Sequence, residues 1–155
     1  RHEFVWGGGY RFSADDIEAS PDFGMLEPSK GIQLVNLFVQ DEVTLIPDRL
    51  RLTLGTKLEH NDFTGFELQP GARISWTPHD RHSFWAAISR AVRTPSRTER
   101  SLVNFIEPHP PVPPGILSVF NGNPDFDSEE LLAHEMGYRV TIRRGLTLDW
   151  TELNF

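Results

Sequence analysis

The sequence predicts an all-β fold: an antiparallel meander of about seven strands that forms part of a transmembrane β-barrel. The strongest evidence is Arg49–Leu58, RLRLTLGTKL, where leucine occupies every even position except Thr56. Side chains alternate between the two faces of a strand, so one face is hydrocarbon and the other polar. Other segments repeat this period, and short and long connections tend to alternate. Such strands lie between lipid and a wet lumen in membrane barrels.

Composition narrows the class of protein. The chain has 155 residues, a formal net charge of −7 and no cysteine. The negative charge argues against a nucleic-acid partner, and disulfide or thiolate chemistry needs cysteine. No run of about 18 apolar residues occurs, so no transmembrane helix is predicted. The chain starts at Arg1 directly in strand-like sequence, without a signal peptide.

The first two strands are separated by a loop that contains Pro21 and Pro28. The first strand is predicted over Glu3–Ile17 and the second over Gly31–Ile46. Asp41 interrupts the apolar face of the second strand. Proline in the intervening segment favours a connection rather than a strand.

Three further strands follow with short connections. They are predicted over Arg49–Phe63, Glu67–Thr77 and His82–Thr94. The turns between the strands are Pro47-Asp48, Thr64-Gly65-Phe66 and Pro78–Arg81. Proline, aspartate and glycine are the residues that tight turns prefer.

A long, proline-rich connection from Pro95 to Ser128 precedes the last two strands. The sixth strand is predicted over Glu129–Arg143, and the last begins at Leu146 after a tight turn. One rim therefore has short turns and the other mostly long loops, as in outer-membrane barrels, with 64–66 the exception. Aromatic residues border the short turns and could form an interfacial girdle; they are Trp76, Phe84 and Trp150.

Eight strings occur in a fixed order along the chain. They are LFVQDEVTL at 37–45, PDRLRLTL at 47–54, LEHNDFTG at 58–65, QPGARISWTP at 69–78, SRAVRTPS at 89–96, GNPDF at 122–126, SE at 128–129 and EMGYR at 135–139. In this order and spacing they resemble the barrel part of TonB-dependent outer-membrane receptors over most of Tyr10–Arg143. The end of the chain, WTELNF, departs from the alternating strand that this family would have after Leu148.

The resemblance implies a location and a role. Receptors of this kind have a barrel of about 22 strands blocked by an N-terminal plug. They lie in the outer membrane of Gram-negative bacteria, in contact with its lipid. They import scarce nutrients such as ferric siderophores or cobalamin with energy passed from the TonB system. No string here resembles a plug or a TonB box. Residues 1–155 are therefore expected to be an internal barrel fragment, with plug and remaining strands absent, that is not transport-competent alone and self-associates.

Two groups of residues are candidates for a site. The charges assigned to the lumen are Arg51, Lys57, Glu59, Arg73, Glu135 and Arg139. Pairing across strands and with a plug is favoured over a substrate path for these six. The long loop supplies the candidate ligand-contact residues Glu107, His109, Phe120, Asn121 and Asn123. The sequence favours neither of two roles for this loop, which are contact with a ligand and simple connection of two strands.

No arrangement of residues predicts catalysis, a metal or a cofactor. His79 and His82 lie in a turn, and Glu107 and His109 lack further converging ligands. His60 and Asp62 share a strand face, but no nucleophile motif accompanies them. Gly7-Gly8-Gly9 lacks the helix and lysine of a phosphate loop. The chain is therefore expected to be no enzyme and to need no cofactor.

A soluble all-β binding module, such as a sandwich with one long recognition loop, is the alternative. Its strands would also alternate between apolar and polar residues, because packing against a second sheet favours one apolar face just as contact with lipid does. The ordered strings favour the receptor.

Overall fold

The computed structural model describes residues 1–20, 23–106 and 118–155. Its strands are β1 His2–Asp16, β2 Phe23–Met25, β3 Ser29–Ile46, β4 Leu50–Asn61, β5 Gly65–His79, β6 His82–Arg93, β7 Leu102–Ile106, β8 Ser118–Asn121, β9 Glu129–Arg143 and β10 Leu146–Asn154. One short helix, α1 Arg97–Ser101, lies between β6 and β7.

The long strands form one antiparallel sheet in the order β1-β3-β4-β5-β6-β9-β10. Each strand pairs with the next long strand in the chain, so the sheet is a simple meander of seven strands. The predicted all-β fold, its strand count and its antiparallel order are therefore confirmed. A second sheet, β2-β7-β8, lies in the two long connections.

The turn between β4 and β5 is tighter than the sequence predicted. The buried Asn61 side chain accepts hydrogen bonds from the backbone N–H groups of Phe63 and Thr64, both at 2.9 Å. Gly65 follows with φ of +75°, a conformation that glycine adopts without strain. The strand predicted from Glu67 consequently begins at Gly65, and it continues to His79 rather than Thr77.

The last strand is regular despite its atypical sequence. β10 pairs with β9 from Leu146↔Arg143 to Asn154↔His134, with one irregularity beside Leu146. The segment WTELNF therefore continues the sheet almost to its end. The long connections contain more structure than predicted, namely β2, α1, β7 and β8.

The large sheet has one apolar face and no conventional core. Among the described residues, Ala133 is the one buried hydrophobic residue, whereas Trp6 is 80% and Leu54 47% exposed. Leu54 lies opposite Asp41 on β3 and Ala72 on β5, on the face that the leucine pattern marks as apolar. A soluble sandwich would cover this face with a second sheet, and the described part of the chain does not. The sandwich alternative is therefore not supported.

Candidate functional site: the inner face and the long-loop rim

The polar face of the sheet, called here the inner face, contains a shallow groove of about 690 Å³. Lys57 and Gln69 are cross-strand partners in its wall, and so are Thr53 and Arg73. Gly55 faces Gly71 across the same two strands and leaves the floor open. The groove is therefore lined by polar side chains, together with Phe38 and Ala87, around a glycine floor.

The strand register places all six charges assigned to the lumen on this inner face. Most of them have partners within the sheet. Lys57 Nζ lies 2.6 Å from Glu59 Oε2, and Arg139 Nε lies 2.5 Å from Asp149 Oδ1. Arg51 Nη1 is 3.5 Å from Glu42 Oε1. The more exposed pairs, Arg51–Glu42 and Arg139–Asp149, contribute at most about 1 kcal/mol each, so their effect is mainly to set the positions of the charges.

Arg73 has a different kind of partner. Its guanidinium carbon lies 4.9 Å from the centre of the Trp85 ring, a cation–π arrangement across β5 and β6. Glu135 lies opposite Ala87 on the neighbouring strand. Arg73 therefore presents a positive charge on an aromatic platform at the wall of the groove.

Two carboxylates are buried where the inner face approaches the long loops. Glu59 and Glu67 lie directly opposite each other and are 7% and 6% exposed. Lys57 donates to Glu59, and the Ser128 hydroxyl donates to Glu67 Oε1 at 2.6 Å. Each buried charge is thus satisfied by a polar partner, as burial requires. Ser128 thereby joins the end of the long connection to β5.

Helix α1 begins with a capping box. The Ser96 side chain accepts from the Glu99 N–H, and the Ser96 N–H donates to Glu99 Oε2 at 2.7 Å. Arg93 Nη2 lies 2.7 Å from Glu99 Oε1. The Arg93 guanidinium, followed by the Ser96 hydrogen bonds, lowers the pKa of Glu99 to about 2. Glu99 is therefore ionised at neutral pH and fixes the helix start beside the end of β6.

Two arginines of this segment join it to distant parts of the chain. Arg97 is buried, forms an ion pair with Asp15 of β1, and donates to the carbonyls of Glu27 and Pro28. Arg100 Nη1 donates to the carbonyls of Phe63 and Phe126 at 2.8 and 2.9 Å. Its guanidinium also lies 5.5 Å from the Phe63 ring centre. These contacts hold both long connections and the β4–β5 turn together as one long-loop rim.

The candidate ligand-contact residues fall in different places. Glu107 and His109 lie outside the described residues. Phe120 and Asn121 belong to β8 and pair with Asn104 and Val103 of β7. The Asn123 N–H donates to the Glu99 carbonyl at 2.8 Å, and its side chain accepts from the Asp125 N–H. Asn123 thus has a structural contact with α1, and ligand contact by this loop stays a prediction.

Close packing against α1 explains the glycine of the string GNPDF. A Cβ at residue 122 would lie 2.7 Å from the backbone carbon of Arg100 and the nitrogen of Ser101. The Gly122 N–H donates to the Leu102 carbonyl at 2.6 Å. Only glycine allows this approach to α1. GNPDF thus contacts α1, which directly follows the string SRAVRTPS, and no local sequence pattern indicates this contact.

Among the described residues, the histidine and carboxylate candidates have ordinary structural partners. Asp62 accepts from the Gln33 N–H at 2.6 Å, while the His60 ring packs edge-on against Phe66 at 4.6 Å. His82 Nδ1 lies 2.7 Å from the Tyr138 hydroxyl. In residues 1–20, 23–106 and 118–155, no three His, Cys, Asp or Glu side chains converge as metal ligands. Over the same residues, no helix is both long and apolar enough to cross a membrane.

Taken together, a one-layer meander with an apolar outer face and a polar inner face is a segment of a β-barrel wall. The profile of the family described as TonB dependent receptor-like, beta-barrel, matches residues 1–155. The chain belongs to this family. Proteins of this family are outer-membrane transporters of Gram-negative bacteria rather than enzymes.

Solved structures agree on the fold. A mutant ferric enterobactin receptor (PfeA) from Pseudomonas aeruginosa matches with a TM-score of 0.78 and 18% identity over 98% of this chain and 23% of that chain. The siderophore receptor PirA from the same organism matches with 0.78 and 20% identity over 98% and 28%. PirA from Acinetobacter baumannii matches with 0.69 and 15% identity over 81% and 18%. This chain thus spans less than a third of each. No curated protein gives a significant match.

Proposed function

We propose that this chain is a wall segment of a TonB-dependent outer-membrane receptor that imports a ferric siderophore. The whole receptor would also contain a plug and further strands, and it would draw energy from the TonB system. The segment itself would neither transport nor catalyse. Cobalamin is the other nutrient class that the sequence resemblance allows.

The observation that carries the proposal is the match of the family profile over the whole chain. The two-faced sheet supports it, because an apolar face of this size is stable only against lipid or protein. The similar structures are of siderophore or ferric enterobactin receptors, which favours a siderophore over cobalamin.

The inner face would line the path and the long-loop rim would meet the ligand first. Arg73 supports this role, because it is a groove-lining cation held over Trp85. The long-loop rim supports recognition, because loops on a rigid scaffold commonly carry binding residues. The candidate contacts on this rim remain Glu107, His109, Phe120, Asn121 and Asn123.

Uptake of radiolabelled iron tests the proposal. The full-length gene would be expressed in a Gram-negative strain that lacks its own siderophore receptors, and uptake would be compared for catecholate, hydroxamate and carboxylate siderophores and for labelled cobalamin. We expect uptake of one ferric siderophore class and none in a strain that lacks TonB.

Two outcomes would contradict the proposal. Uptake that persists without TonB would show that the receptor does not depend on TonB for energy. Uptake of cobalamin alone would show that the nutrient is cobalamin and not a ferric siderophore. A matched pair of variants then examines the inner face. Arg73→Gln should reduce ferric-siderophore uptake, whereas Arg139→Gln, whose arginine pairs with Asp149 and does not line the groove, should not.

A further inference from the structure

The outer face contains an aromatic row next to the short turns. Trp76, Phe84, Tyr138 and Trp150 occupy successive register positions on β5, β6, β9 and β10. The ring centres of Trp76 and Phe84 are 5.5 Å apart, and those of Phe84 and Tyr138 are 4.6 Å apart and stacked. Rings of this kind prefer the boundary between lipid and water.

A groove of about 330 Å³ opens beside this row. Leu50, Ile74, Trp76, Phe84 and Ala86 line it, together with part of Trp85. These groups are hydrocarbon or aromatic, so the groove has few groups that could form hydrogen bonds with a polar ligand. An acyl chain fits this lining, because burying hydrocarbon against hydrocarbon and aromatic surface is favourable.

Arginines surround the same end of the sheet. Arg49 lies in the turn before β4 begins at Leu50, so the alternation of the strand does not assign it to the inner face. Its Nη1 donates to the carbonyl of Pro78, two residues beyond Trp76, at 3.3 Å. Arg81 lies in the turn that joins the strands of Trp76 and Phe84. Arg143 and Arg144 stand at the β9–β10 turn, and the acidic residues of the three turns are Asp48 and Asp80.

These four arginines have no acidic partner within the described residues. The ion pairs found there at 4.0 Å or less involve other residues. All four are exposed. A guanidinium binds phosphate oxygens through two parallel hydrogen bonds, which makes arginine well suited to a phosphate group.

We propose that this end of the outer face is a specific site for a glycerophospholipid. One acyl chain lies in the groove beside Trp76 and Phe84, and the phosphate contacts Arg49 and Arg81. The inference rests on the proposed outer-membrane location, because only a membrane presents such a lipid to this face. It goes further in naming one lipid class, one groove and two arginines.

Native mass spectrometry of the purified full-length receptor in detergent tests the site. Phosphatidylglycerol would be titrated against the wild type, the Arg49→Gln/Arg81→Gln variant and a control, Arg51→Gln/Arg139→Gln. The control removes the same two charges from the inner face, where both arginines pair with carboxylates. We expect the Kd of the tightest lipid to rise about tenfold in the turn variant, as loss of charge-assisted hydrogen bonds implies, and to stay unchanged in the control.

A second variant examines the groove independently of the charges. Ala86→Phe narrows the groove without touching an arginine, and it should weaken phosphatidylglycerol binding too. Inorganic phosphate in millimolar excess should fail to displace the lipid, because phosphate cannot use the groove. Equal lipid binding by wild type and turn variant would overturn the proposal, and so would full displacement by inorganic phosphate. The measurement does not involve transport, so a failure here leaves the siderophore result standing, and the reverse also holds.

Discussion

The indole of Trp85 occupies the space that a side chain at Gly137 would need. The two residues are register partners on β6 and β9, and a Cβ built on Gly137 would lie inside the van der Waals distance of the indole ring. Gly137 is buried against the ring, and the Arg73 guanidinium carbon lies 4.9 Å from the ring centre. The glycine of the string EMGYR is thus required by packing on the inner face.

Gly137→Ala should therefore destabilise the barrel. The indole must leave its position or the strands must separate, and overpacking of this kind costs about 1–3 kcal/mol. Gly71→Ala is the matched control, because a Cβ there would meet its nearest atoms at an ordinary 3.7 Å. Urea unfolding of the full-length receptor, followed by tryptophan fluorescence, measures both. Equal stability of the two variants would show that Trp85 does not need the glycine.

Charge on the two faces of β4 should have unequal effects. Leu54→Arg places a guanidinium on the apolar face and should cost about 2–4 kcal/mol if the residue lies near the bilayer midplane. Thr53→Arg adds the same group to the inner face and should cost far less. Urea titration of the full-length receptor in lipid vesicles compares the two. Equal losses would refute the assignment of the faces.

The start of α1 should loosen in acid. The pKa of Glu99 is about 2 in the folded chain, below the ordinary 4.5. The Glu99 carboxylate therefore binds a proton less readily in the folded state than in the unfolded state. Its stabilisation of the start of α1 is complete above about pH 4.5 and is lost as pH falls from there towards 2. A spin label on Thr98→Cys, an exposed residue of α1, reports the change as increasing mobility. Glu99→Gln should be mobile at every pH; a label equally immobile in both proteins would contradict the role of Glu99.

The isolated 155-residue chain should self-associate in detergent-free buffer. In the described residues, the outer edges of β1 and β10 have no strand beside them, and the apolar face is open. Open edges pair readily with other chains, and exposed apolar patches associate. Sedimentation velocity would show oligomers or a sheet curled on itself. A stable, extended monomer with its leucines in water would show that the apolar face has been misinterpreted.

The large sheet is predictable from the sequence because local residue patterns determine its strands and turns. Leucine at four alternating positions of β4 sets both the strand and its faces, and Pro47-Asp48 sets the turn before it. The register then follows from keeping apolar residues on one side. The sequence pattern predicts the next strand only from Glu67, two residues after its start at Gly65, because the turn depends on the Asn61 side chain rather than on a turn dipeptide.

The long-loop rim was not predictable in the same way. β2 and β7 pair across 80 residues of sequence, and neither is long enough to show a period. Arg97 contacts Asp15 and the Glu27 carbonyl through the fold alone. Non-local contacts of this kind leave no spacing pattern in a single sequence. Alternation along the strands predicts which charged residues lie on the inner face, but it does not predict their ion-pair partners.

In the complete barrel, the leucine face of β4 is expected to contact lipid and the opposite face to contact water. Fluorophores on single cysteines at Leu52, Thr53, Leu54, Lys57 and Leu58 of the full-length receptor in lipid vesicles test it directly. We expect nitroxide lipids to quench the fluorophores at the three leucine positions, and aqueous iodide to quench those at Thr53 and Lys57. Loss of this alternation, or its reversal, would show that the two faces of β4 are wrongly assigned.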